Sequence, residues 1–163
     1  MMRELYESAM GMVLSAAGVK HFSARELCRV GRTAEYNGRS FRLQPPPARI
    51  FRNILATVEV ADWLRAEFGP LLVTSGYRDP DYNLAIGGEP HSLHLSFNAL
   101  DLRSLDGAAP AAMAAYLESH RFARQMGIGV YAAENFVHVD TRGLLGRPAP
   151  ARWPSAQKLA RAA

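Results

Sequence analysis

Two short apolar runs late in the chain constrain its fold most, because each carries ionisable residues where a core would otherwise form. In Ala99-Leu100-Asp101-Leu102 and Phe136-Val137-His138-Val139-Asp140, strand alternation puts an ionisable side chain, of a type able to ligate metal, on a core-like face. A carboxylate buried without a partner costs several kcal/mol. Any fold that buries these strands must therefore supply a cation or donors at Asp101 and around His138 and Asp140. Packing alone explains neither run.

The rest of the pattern places helices early and strands late. The first helix is predicted over 3–17, with Leu5, Met12 and Val13 inward, and the second starts at a Ser23–Glu26 capping box. Residues 31–44 are polar and expected to be irregular, closed by Pro45-Pro46-Pro47. Ile50, Ile54, Val58, Ala61, Leu64 and Phe68 recur at helical spacing, so 47–68 is predicted as the longest helix, stopped by Gly69-Pro70. Strands are expected at 71–74, 97–102, 129–131 and 136–141. Short helices are expected at 79–86 and 110–125, the latter with Ser104 and Asp106 as capping candidates. The fold class is α+β, a small antiparallel sheet flanked by helices.

The 163 residues suit one compact domain, with helices over 1–68, a sheet region over 69–145 that carries the chemistry, and a peripheral tail over 146–163. Hydrophobic residues at 48% exclude a disordered chain. The single cysteine, Cys28, excludes a disulfide framework and any multi-cysteine metal site, so a metal needs His and carboxylate ligands. Cys28 itself is expected in the core. The net charge of +4 comes from scattered basic residues without a nucleic-acid module, and no nucleic-acid partner is expected. No apolar run approaches the roughly 18 residues of a membrane span. The apolar stretch 9–19 follows Glu4 and Glu7, which suits an amphipathic helix and not a signal sequence. Localisation stays open.

Three groups carry the chemistry: Ser75-Gly76-Tyr77-Arg78, Ser92-x-His94 with Asp101, and His138-Val139-Asp140. Imidazole nitrogen and carboxylate oxygen suit zinc. With His94 at the turn into a strand, Asp101 inside it and His138 on a neighbouring strand, all three can face one cleft. Taken singly, each has the plain alternative of a hydrogen-bonded core or surface residue.

Thr74-Ser75-Gly76-Tyr77-Arg78, Tyr82-Asn83-x-Ala85-x-Gly87-Gly88, Ser92-x-His94 and Ala99-x-Asp101 resemble the zinc D-Ala-D-Ala carboxypeptidase and L-Ala-D-Glu endopeptidase family. Its signature is Ser-x-His-x-x-Gly-x-Ala-x-Asp with a later His. The segments 127–131 and 136–141 resemble its closing strands, and the likeness runs over about 22–153. It implies a Hedgehog-like fold and one zinc ion (Zn2+) on His94, Asp101 and His138. Arg78 is implied to bind or polarise substrate, with Ser92 as a hydrogen-bond donor to substrate or to the ligands. Tyr77 and Tyr131 are candidates to line the cleft, Tyr77 as a substrate-binding residue, with packing as the default reading for both. Peptidoglycan stem or cross-link peptides are the implied substrate and partner, acted on at the cell wall. A monomer is expected, separately from the resemblance.

Two positions depart from the family. Phe97 stands where the signature has Gly. Asn135 stands where many relatives carry a general-base Glu, and an amide cannot take a proton from water at neutral pH. Asp140, on the strand face of His138, is the favoured replacement as catalytic base, and Glu134 is the alternative. Asp140 also has a plainer role, orienting a ligand histidine. Loss of that Glu equally allows a catalytically impaired zinc-containing domain that binds cell wall. His91 is expected in an exposed loop, His21 and His120 on the surface, and Trp153 as a packing lid.

Overall fold

In the computed structural model, residues 2–43 and 45–154 are described. The order is α1 (Met2–Ala16), α2 (Ala24–Leu27), β1 (Arg29–Tyr36), β2 (Arg39–Leu43), a 3-10 segment (Ala48–Ile54), α3 (Leu55–Phe68), β3 (Leu71–Ser75), α4 (Pro80–Ala85), β4 (Ala99–Ser104), α5 (Pro110–Leu117), β5 (Gly127–Tyr131), β6 (Phe136–Asp140) and β7 (Ala151–Pro154). A five-stranded sheet runs β3-β4-β6-β5-β7, antiparallel except for the parallel β5–β7 pair. The α+β class follows as expected.

Helix α1 packs through Tyr6, Met10 and Leu14, spaced by four, while Leu5 and Met12 are exposed at 65% and 71%. The inward assignment of Leu5 and Met12 is corrected: the buried stripe is set by Tyr6, whose hydroxyl reaches the Ala24 carbonyl and whose ring meets Phe51 edge-on. Ser23 and Glu26 form the expected capping box. Residues 29–43, expected to be irregular, are instead a hairpin. Asn37 and Gly38 both have positive φ, 49° and 72°, as a two-residue turn between twisted strands requires. The hairpin is anchored where Phe41, buried, meets the Tyr82 ring.

Helices α3 and α5 cover the sheet face that carries Leu100, Leu102, Val137 and Val139, all fully buried. Thr57 on α3 ties that face down, with its hydroxyl on the Asn98 carbonyl and on Thr141. The α5 helix starts at Ala109 without a side-chain cap, and Ser104 instead accepts from the Asp106 and Ala108 amides within the preceding turn. His120, expected on the surface, is buried against Trp63 and Phe122. Its ring accepts from the Phe122 amide, which lets an imidazole sit among apolar neighbours.

The opposite face carries a row that crosses all five strands. Ser75 pairs with Asp101, Asp101 with His138, His138 with Gly129, and Gly129 with Trp153. A bulge between Val73 and Ser75 brings Ser75 opposite Asp101. Strand β7 corrects the expectation of a wholly peripheral tail, since Ala151–Pro154 complete the sheet edge. The rest of that expectation, residues 155–163, lies outside the described residues.

The predicted strand start at Phe97 is also corrected. Phe97 has φ +58°, the left-handed region, and β4 begins at Ala99. The family's Gly suits that backbone, which costs a side-chain-bearing residue roughly 1–2 kcal/mol. Phe97 offsets this by burying its ring completely, edge-on to Tyr77.

Candidate metal centre

Three buried acceptor atoms converge on the sheet face opposite the helices. His94 Nε2 lies 3.2 Å from Asp101 Oδ1 and 3.3 Å from His138 Nδ1, and His138 Nδ1 lies 2.8 Å from Asp101 Oδ1. Among the described residues, His94, Asp101 and His138 are the group that could hold a metal ion, and all three are buried. Sequence separation did not place them. Asp101 and His138 face each other by β4–β6 register, and His94 arrives from the turns between α4 and β4.

The far side of each ring fixes its tautomer. His94 Nδ1 lies 2.6 Å from the Gly76 carbonyl, which only accepts, so Nδ1 carries the proton and Nε2 presents its lone pair inward. Gly76 is required there, because a Cβ would meet the Leu27 carbonyl carbon at 2.7 Å. His138 Nε2 donates to Asp140 Oδ2 at 3.0 Å, which leaves Nδ1 for the centre. Asp101 uses Oδ2 for the Arg78 guanidinium at 2.7 Å and turns Oδ1 inward.

Burial lowers the His94 pKa to about 4, with the Arg78 charge acting in the same direction, so the ring is neutral over the physiological range. At His138 burial also acts downward, but hydrogen bonds to Asp101 and Asp140 outweigh it and raise the pKa above the ordinary 6.5. Burial pushes Asp101 upward, yet the two imidazoles hold it well below the usual carboxylate range. Two nitrogens and one oxygen are a donor set that suits zinc, whose roughly 2.0–2.2 Å bonds span acceptors about 3.4 Å apart in a tetrahedron.

A metal ion and a proton compete for the His138 Nδ1 lone pair, which sets a pH dependence. Zinc affinity is expected to rise with pH through the His138 titration, which lies above 6.5, because the metal must displace that proton. His94 contributes nothing there, having lost its proton above about 4. Chelator competition at a series of pH values measures the slope, and a flat response would exclude His138 as the displaced site.

The other expected residues are distributed unevenly. Arg78 is at the centre, but one guanidinium nitrogen holds Asp101 and Nε donates to Ser75 Oγ at 2.9 Å. Ser92 accepts weakly from the His94 amide at 3.4 Å, which braces the ligand's turn. Tyr77 belongs to the core, packed on Phe97, so its expected place lining the cleft is corrected to packing. Asp140 also departs from expectation. It is fully buried, with Oδ1 on the Gly127 and Arg142 amides and Arg142 Nε, and Oδ2 on His138 Nε2 and Arg142 Nη2. It stands behind the His138 ring, away from the converging atoms. Glu134 and Asn135 are exposed in the β5–β6 turn. His91 is exposed and its carbonyl takes Arg147; exposed His21 bonds Asp62; Cys28 is buried as expected.

Sequence reasoning missed Arg142 and the closeness of Trp153 to the centre. The Trp153 ring lies 5.3 Å from that of His138, and Arg142 sits over the indole at 5.0 Å. Trp153 Nε1 donates to the Tyr131 hydroxyl at 3.0 Å. The one sequence signal was glycine spacing: a Cβ at Gly129 would meet indole Cε2 at 2.6 Å, and one at Gly127 would meet Arg142 Nη2 at 2.7 Å.

No curated protein matches the chain. A family model described as Peptidase M15 matches residues 20–140, a span that includes the capping box, the Ser75–Arg78 element and all three converging ligands. With most of the chain matched and its His-Asp-His cluster assembled inside the matched span, this protein belongs to the M15 peptidase family.

Proposed function

We propose that the protein is a zinc-dependent peptidase acting on peptidoglycan stem or cross-link peptides, with the metal held by His94 Nε2, Asp101 Oδ1 and His138 Nδ1. The observation that carries this reading is the convergence of three buried lone-pair atoms within 3.3 Å of one another inside a peptidase-family domain. When bound, zinc supplies Lewis acidity, polarising a carbonyl and bringing the pKa of water near neutrality.

The chain's own residues do the rest. Arg78 holds Asp101 Oδ2 and so aims Oδ1 inward, and its positive charge beside the centre suits a carboxylate-bearing peptide. Asp140, locked by Arg142, orients His138 through Nε2. The general base then falls to Glu134, an exposed carboxylate in the β5–β6 turn. Its carboxylate takes the water proton and returns it to the leaving amine. The +4 net charge favours an anionic polymer such as cell wall.

The test is elemental analysis of untagged protein together with release of new amines from purified peptidoglycan. One zinc per chain and release that stops on chelation are expected. A second reading, a zinc-containing domain without turnover, draws on Asn135 in the family's Glu position. Zinc-loaded protein that frees no amine from any stem or cross-linked peptide would select it.

A further inference from the structure

The edge of the sheet beyond His138 carries an arrangement that metal binding does not explain. Gly129 pairs with His138, so Tyr131, two residues on, faces the same side as the metal ligands. Trp153 pairs with Gly129 from β7 and also rises on that face. Both rings lean over the missing side chain: a Cβ at Gly129 would meet Trp153 Cε2 at 2.6 Å and Tyr131 Cε2 at 2.9 Å. The Tyr131 ring is fixed from its other side by Phe136, stacked at 4.4 Å and 12°. Trp153 lies outside the span matched to the peptidase family, so β7 adds something the matched span lacks.

The direction of the hydrogen bond matters. An indole N–H only donates, so Trp153 Nε1 occupies a lone pair of the Tyr131 oxygen. The phenol must point its own proton elsewhere. Burial raises the Tyr131 pKa, which keeps that proton on the oxygen. The indole that holds the hydroxyl has its ring 5.3 Å from that of His138, which brings the phenol to the edge of the centre.

We propose that the Tyr131 hydroxyl, aimed by the Trp153 indole across Gly129, is a hydrogen-bond donor to the scissile carbonyl oxygen of the peptide, with Trp153 as its positioning residue. This rests on the peptidase reading of the His94–Asp101–His138 cluster. The phenol keeps its proton throughout. It strengthens its bond as negative charge grows on the carbonyl oxygen, so it favours the transition state over the bound substrate.

Tyr131→Phe keeps the stacked ring and removes only the donor. With zinc-loaded protein and a stem peptide, kcat is expected to fall about 100-fold with KM nearly unchanged. A phosphinate analogue of that peptide, followed by calorimetry, is expected to bind about 100-fold more weakly, with zinc affinity unaltered. Trp153→Phe is expected to lower kcat about tenfold, and the double variant to be no worse than Tyr131→Phe alone, because the indole acts through the phenol. Equal phosphinate affinity in wild type and Tyr131→Phe overturns the donor, as does a parallel loss of zinc affinity that accounts for the whole effect. Wild-type protein that binds the phosphinate more tightly than Tyr131→Phe yet cuts no peptide overturns the peptidase reading and keeps Tyr131 only as a donor to a bound anionic oxygen.

Discussion

Asp101→Asn is expected to leave the protein without zinc and to lower peptide hydrolysis at least about a thousandfold, since the metal moves the pKa of water from 15.7 to about 7. The carboxylate faces two demands at once, Oδ1 toward His94 and His138 and Oδ2 toward Arg78 Nη2 at 2.7 Å. An amide of the same shape offers one acceptor and one NH2. If the NH2 faces Arg78, two donors oppose each other; if it faces the centre, a donor stands where a cation binds. No rotamer satisfies both. Stability of the metal-free protein is also expected to fall, by about 3 kcal/mol, the lower end for breaking a buried ion pair. The lower end applies because the Arg78 side chain retains 16% exposure and stays partly hydrated. Elemental analysis, a chelator-controlled activity assay and urea unfolding measure the three effects. An Asp101→Asn protein with full zinc content and normal turnover would end the assignment of this centre.

The second large effect separates positioning from proton transfer at Asp140. Asp140→Asn is expected to weaken zinc binding about 10–100-fold, the usual effect of removing a carboxylate behind a ligand histidine. Saturating zinc is then expected to restore most of the turnover. A general base removed by the same change would leave zinc affinity untouched and cost about 10²–10⁴ in kcat at any zinc concentration. Geometry favours the first outcome. Burial raises the Asp140 pKa, but hydrogen bonds from His138 and Arg142 overcome this and hold it far below the usual carboxylate range, where it accepts no proton at neutral pH. Glu134→Gln, changed in parallel, is expected to show the kcat loss without the zinc effect.

Much of the fold was legible because its signals are local. The capping box at Ser23 and Glu26, the apolar stripe of 50–68 and the alternation in 99–102 and 136–140 each act within a few residues. The hairpin over 29–43 was missed although Asn37-Gly38 announces its turn, because its strands are rich in Arg, Thr and Ser and lack a clear apolar face. Leu5 and Met12 were misplaced since the first helix has apolar residues on more than one side, and only Phe51 and Ala24 decide which side is covered. His120 looked like surface because its satisfying partner, the Phe122 amide, exists only once the turn has formed.

The amino-acid order alone determined the donor chemistry. One cysteine leaves His and carboxylate side chains as the donors open to any metal, and ionisable residues inside apolar strands demand partners whatever the fold. Register and ring orientation were decided only in three dimensions. The β4–β6 pairing sets Asp101 against His138, the Gly76 carbonyl turns His94 Nε2 inward, and Asp140 falls behind an imidazole instead of among the converging atoms. Strand alternation names the face on which a side chain lies. Which way its polar atoms point within that face depends on partners such as Arg142, Trp153 and the Gly127 and Gly129 gaps, and the packed sheet alone brings those together.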